Sequence, residues 1–145
     1  MPKPDPALLD PARYPFYCSI ETRFRDLDIN MHVNNVALAG ILEEARVRFH
    51  QVSGYHEVMH GVSAMAASLS IQFLGESYYP DPLDVHVAAT NVGRTSHTLG
   101  QLVFQHDRPV AYAQVILVCV KDSRPTELPA QFRETIKPWT LKPGC

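Results

Sequence analysis

Two carboxylates, an imidazole and three carboxamides fall within eleven residues, Arg25-Asp26-Leu27-Asp28-Ile29-Asn30-Met31-His32-Val33-Asn34-Asn35. A carboxylate can activate water or attack a carbonyl carbon itself, and imidazole and carboxamide groups can orient water or a polar substrate. The segment runs directly into an apolar repeat of helical period, so the first turn of a helix should stand beside these side chains. The unpaired amides of that turn, at the positive end of the helix dipole, suit a carbonyl oxygen on which negative charge develops. Asp28 is therefore the candidate base or nucleophile, with both roles open, and His32, Asn34 and Asn35 are its candidate partners. Plainer roles stand beside these. Asp26 suits tying the loop to backbone amides, one of the two asparagines suits capping the helix, and His32 suits pairing with a nearby carboxylate.

The elements that must position these groups follow from periodicity. Phe16, Cys18, Ile20, Thr22 and Phe24 alternate with Tyr17, Ser19, Glu21, Arg23 and Arg25, which predicts a half-buried strand over 16–25. Leu38, Ile41, Leu42, Ala45, Phe49 and Val52 recur at spacings of three and four, which predicts a helix from about Asn35 to Ser53, ending at Gly54. Glu43 and Glu44 are expected to form solvated ion pairs with Arg46 and Arg48. Gly40 lies inside this helix at a cost of about 1 kcal/mol relative to Ala, so either another backbone packs closely there or a ligand needs room; close packing is the expectation. Strands are predicted over 62–74, 83–92, 96–105 and 110–121, joined at Pro80-Asp81-Pro82, Gly93-Arg94 and His106-Asp107-Arg108-Pro109.

The last of these strands is apolar on both faces, as a central strand covered on both sides would be. One helix covers only one face of such a sheet. A second copy of the chain is expected over the remaining apolar surface or edge. The prolines at 2, 4, 6, 11 and 15 predict an extended arm over 1–15, and the prolines after Ser123 predict an irregular segment with a short helix near 130–135 and a tail over 137–145. The main domain spans 16–136.

With 145 residues, a net charge of -2 and 46% hydrophobic content, the chain reads as one soluble α+β domain without a leader or a membrane-spanning run, and a cytoplasmic location is expected. No Lys/Arg cluster points to nucleic acid. Cys18, Cys119 and Cys145 are odd in number and far apart, without disulfide or CxxC metal spacing. His56-Glu57-Val58-Met59-His60 matches H-E-x-x-H, in which two histidines one helical turn apart bind zinc, but Gly54 and Gly61 bracket it and only Glu76 suggests itself as a third ligand. Gly75-Glu76-Ser77-Tyr78-Tyr79 lacks the closing glycine of G-x-S-x-G. No metal and no cofactor are expected.

Taken together, the order strand, Asp-x-Asp loop with His32-Val33-Asn34-Asn35, long helix with Leu42-Glu43-Glu44-Ala45-Arg46, then four strands, resembles the hotdog fold, a five-stranded antiparallel sheet wrapped around one long helix. More narrowly it resembles the acyl-CoA thioesterases related to 4-hydroxybenzoyl-CoA thioesterase, over about Tyr17 to Arg133, including Ser70-Ile71-Gln72-Phe73-Leu74, Asp81-Pro82-Leu83, Gly93-Arg94-Thr95-Ser96 and Val118-Cys119-Val120. The resemblance implies hydrolysis of an acyl-CoA to a free acid and coenzyme A, with Asp28 as the catalytic carboxylate and an amide among Val33 to Asn35 at the thioester carbonyl. It also implies a homodimer or homotetramer with the site at the subunit interface. Met31, Val33 and Leu38 are then expected near the acyl group, and Arg94, Thr95 and Ser96 at the coenzyme A, with Arg108, Lys121 and Arg124 as competing phosphate contacts. Many relatives carry Gly where this chain has Met31 and an aromatic where it has Leu38. The alternative is a non-hydrolytic module that binds acyl-CoA or an acyl carrier in the same groove.

Overall fold

Residues 3–144 are described by a computed structural model; Pro2 of the predicted arm and Cys145 lie outside them. The alternation starting at Phe16 forms β1 (Phe16–Ile20), which is shorter than the predicted strand. The chain leaves the sheet at Thr22, whose hydroxyl donates to the Asp81 carbonyl at 3.0 Å, and Phe24–Asp26 closes a 3-10 turn because the Asp26 carboxylate accepts the Arg23 amide. Phe24 consequently points to solvent rather than into the core.

The helical repeat forms α1 (Asn35–Val52), followed by the single turn α2 (Tyr55–Val58). Four long strands come next, β2 (Ser63–Phe73), β3 (Leu83–Val92), β4 (Ser96–Gln105) and β5 (Arg108–Lys121). The two-residue β6 (Arg124–Pro125) and the short helix α3 (Phe132–Ile136) complete the elements. The strand order is β1-β3-β4-β5-β2, antiparallel throughout, with β6 appended to β5. His106 and Asp107 both take left-handed backbone angles in the β4–β5 hairpin, the geometry that matches the twist of a two-residue turn. This is the hotdog architecture, a curled sheet around α1.

Leu38, Ile41, Leu42, Ala45 and Phe49 of α1 are buried against the inner side chains Val85, Val87, Leu99, Val103, Ala113 and Val115. The predicted solvated pairing of Arg46 is corrected: Arg46 is buried and donates to Gln101 Oε1 at 3.0 Å, while Gln101 Nε2 donates to the Leu42 carbonyl at 2.9 Å. Arg46 therefore joins helix to sheet instead of facing water. Glu44 and Arg48 do form the expected surface ion pair.

Part of the outer face is covered by the chain's own two terminal segments. The described part of the arm is not extended: Asp5 and Asp10 cap 3-10 turns at Pro6–Leu9 and Pro11–Arg13. Leu8, Leu9 and Tyr14 of this arm, with Leu141 of the tail, pack over Ala88, Leu102 and Tyr112. Arg13 fastens the two ends together, its Nε donating to the Lys142 carbonyl at 2.7 Å while its own carbonyl accepts the Lys142 amide at 2.8 Å. The edge of β2 has no such cover among the described residues.

Candidate active site

The loop before α1 is a small hairpin. Leu27 bridges Val33, the Met31 amide donates to the Asp28 carbonyl at 3.0 Å, and the Asp28 amide donates to the His32 carbonyl at 2.9 Å. This closure needs a left-handed residue at Met31, whose φ is 64°. Glycine takes that conformation freely and a side chain does not, so Met31 holds it at a cost. Met31 itself is exposed and lies away from the cleft described below.

Asp26 anchors the loop. It is 3% exposed, accepts from the Arg23 amide and guanidinium, and its carbonyl accepts the Asn34 amide at 2.8 Å. Burial works to raise its pKa, but the hydrogen bonds from Arg23 outweigh it and hold the carboxyl below the usual aspartate value. Asn34 caps α1, its side chain accepting the Ala37 amide at 2.8 Å. The Val33 amide is also occupied, donating to the Ser77 carbonyl. Of the amides expected to be free over Val33 to Asn35, two are thus committed, and the open donors of the first turn move to Asn35 and Val36.

Asp28 is exposed and lines an open cleft of about 910 Å³ between the end of β1, the loop and the first half of α1. Its Oδ1 accepts the Asn30 amide at 2.8 Å and the His32 amide at 3.2 Å. No hydrogen bond from the described residues reaches Oδ2. One oxygen therefore fixes the carboxylate while the other stays open. Asn34, Asn35 and Val36 line the same cleft, as do Arg23, Arg25, Gly40, Ile41 and Glu44, which the motif alone did not single out. The signal for Gly40 and Glu44 lay in the helical spacing of 36, 40 and 44 on one face.

Several expected residues lie elsewhere. His32 takes the plainer role, with Nε2 3.3 Å from Glu76 and its ring edge-on to Tyr78, and it is not part of the cleft wall. Leu38 is 3% exposed in the core, and Val33 packs against that core, so neither lines the cleft within one chain. Arg94, Thr95 and Ser96 form the β3–β4 turn, also outside the cleft. Arg94 pairs with Glu127 at 3.2 Å, and the Arg94 and Thr95 carbonyls accept the Leu128 and Cys119 amides. Gly40 is corrected as well: a methyl group built on it meets nothing within 4 Å, so no backbone packs there.

The H-E-x-x-H match does not form a helical face. α2 ends at Val58, so His60 falls in the turn beyond it, and Glu76 belongs to His32 and Tyr78. Among the described residues, no three His, Cys, Asp or Glu side chains are grouped to hold a metal ion. No described helix is long and apolar enough to cross a membrane.

Comparison with known proteins agrees with the fold. A model of the thioesterase-like superfamily matches residues 22–136. No curated protein sequence matches the chain. Among solved structures, a thioesterase from Thermus thermophilus, crystallised with coenzyme A and zinc, is 29% identical, with 86% of this chain and 94% of that chain covered and a TM-score of 0.76. A probable thioesterase from Escherichia coli is 23% identical, with 86% and 98% covered and a TM-score of 0.77. A 1,4-dihydroxy-2-naphthoyl-CoA thioesterase from Synechocystis is 17% identical, with 84% and 95% covered and a TM-score of 0.73. For the latter two the likeness is one of fold.

Proposed function

The chain belongs to the thioesterase-like superfamily, and from that premise we propose that it hydrolyses an acyl-CoA thioester to a carboxylic acid and coenzyme A, with Asp28 as the reacting carboxylate. The observation that carries this reading is the division of labour at Asp28. Two loop amides hold Oδ1, and the cleft in which the carboxylate stands also contains the first turn of α1. The coenzyme A bound by the Thermus thermophilus relative supports the substrate class.

With the thioester carbonyl oxygen against the Asn35 and Val36 amides, charge developing on that oxygen is stabilised by donors already in place. As a general base, Asp28 takes a proton from water as the water oxygen bonds to the carbonyl carbon; the C–S bond then breaks and the departing sulfur takes up a proton. As a nucleophile, Asp28 bonds to that carbon itself, coenzyme A leaves, and water hydrolyses the mixed anhydride. In both, Asn34 and Asp26 hold the donors and the carboxylate at a fixed separation. We also propose that a homodimer, joined through the bare β2 edge, completes the site and brings the Arg94-Thr95-Ser96 turn of one copy within reach of the other's substrate. The support is the length of β2 and the apolar side chains Met65, Leu69 and Phe73 exposed along it.

The test is thiol release from a panel of acyl-CoAs. Asp28→Asn is expected to lower kcat at least ~100-fold with binding retained. A wild-type protein that binds acyl-CoA without releasing thiol would establish the non-hydrolytic alternative instead.

A further inference from the structure

Gly40 is an expensive residue for its position. It sits in the interior of an 18-residue helix, where glycine costs roughly 1 kcal/mol relative to alanine. Neither usual compensation is present, because its φ is not left-handed and no neighbouring atom lies within 4 Å of where a methyl group would stand. What Gly40 does instead is widen the cleft that Asp28 shares. Val36 and Gly40 lie on one face of α1 and line the cleft together with Ile41 and Ile20, so an aliphatic strip runs on from the open helix amides along a groove that Glu21, Arg23 and Arg25 also line. It ends at Glu44, which is ion-paired with Arg48. From Asn35 to Gly40 the helix rises about 7.5 Å. No aromatic side chain lines this wall, so the groove has no ring against which an aryl group could stack.

Resting on the thioester reading above, we propose that Gly40 determines substrate specificity: it leaves room for a medium-length aliphatic acyl chain that runs along α1 from the Asp28 end of the groove. A side chain at 40 would fill the path of that chain beyond its first few carbons, while the reacting carbonyl and a two-carbon acyl group would still fit.

The experiment compares wild type, Gly40→Ala and Gly40→Leu on acetyl-, octanoyl- and benzoyl-CoA. The same three acyl groups are also measured as non-hydrolysable CoA thioethers by calorimetry. Wild type should favour octanoyl over both acetyl and benzoyl. Gly40→Leu should lower the octanoyl-to-acetyl ratio of kcat/KM at least tenfold, a size in keeping with steric discrimination in an apolar pocket, and should lower the ratio of thioether affinities in parallel. Gly40→Ala should raise Tm while shifting the ratio less, which separates groove volume from helix stability. Equal losses on all three acyl groups, an unchanged ratio, or a variant that changes from dimer to monomer in sedimentation would overturn the assignment. If no CoA ester releases thiol, the hydrolase reading fails. The thioether affinities then still decide whether Gly40 sets chain length.

Discussion

At the scale of single residues, position 31 shows a conflict between a side chain and its backbone. Met31 is held at φ 64° by the hairpin that presents Asp28, and its side chain is exposed. Left-handed backbone costs a non-glycine residue roughly 1 kcal/mol. Met31→Gly should therefore stabilise the protein by roughly 0.5–1 kcal/mol in urea unfolding, with activity retained if the hairpin keeps its shape. A destabilised Met31→Gly would mean that the side chain contributes packing in the assembled protein. Asp26 and the capping of α1 by Asn34 were legible in the sequence because both roles are local: a short acceptor a few residues from the amides it serves. Gly40 was not legible in this way. Close packing and open space call for the same residue, and only the surroundings distinguish them.

Among the elements, α1 was readable almost to its last residue because six apolar positions fix one face. β1 was over-extended, since Thr22 and Phe24 continue an alternating pattern after the chain has turned out of the sheet. Periodicity records side-chain character, whereas the turn depends on the Asp26 carboxylate folding back to Arg23. β2 poses a different question. Its eleven residues pair with β5 on one side only, and Leu69 is 42% exposed on the strand. An unprotected edge of this length is a template for another strand. Leu69→Lys should convert a wild-type dimer to monomer in sedimentation velocity and lower turnover with it. A variant that remains dimeric would place the contact on another surface.

For the molecule as a whole, the far end of α1 holds a second polar cluster, remote from the Asp28 loop. His50 stacks on Tyr55 with ring centroids 3.9 Å apart, and His97 lies between Tyr55 and Phe132. His97 is 1% exposed, and neither ring nitrogen has a hydrogen-bond partner among the described residues. Burial pushes both histidines down to about 4, and for His50 the neighbouring His97, His56 and Arg46 add to the effect. The unfolded chain, with histidines near 6.5, binds more protons than the folded one between those values, so stability rises with pH across that window. It is fully present above about pH 6.5 and is lost as the pH falls toward 4, by up to roughly 3 kcal/mol per histidine. Urea unfolding at about pH 7 and about pH 4.5 measures this directly, and equal stabilities would show that the pair is solvated in the folded state. The sequence offered seven histidines and drew attention to His32, His56 and His60 by motif. The two most perturbed are identified only by where tertiary packing puts them.

The fastening of Arg13 to Lys142 makes the two ends of the polypeptide interdependent. A protease cut just past Trp139 would remove Leu141 and strip Arg13 of its clasp, loosening the first turns as well. Leu102 and Tyr112 would then be bared together, turning a trimmed preparation from a clear solution into one prone to clumping.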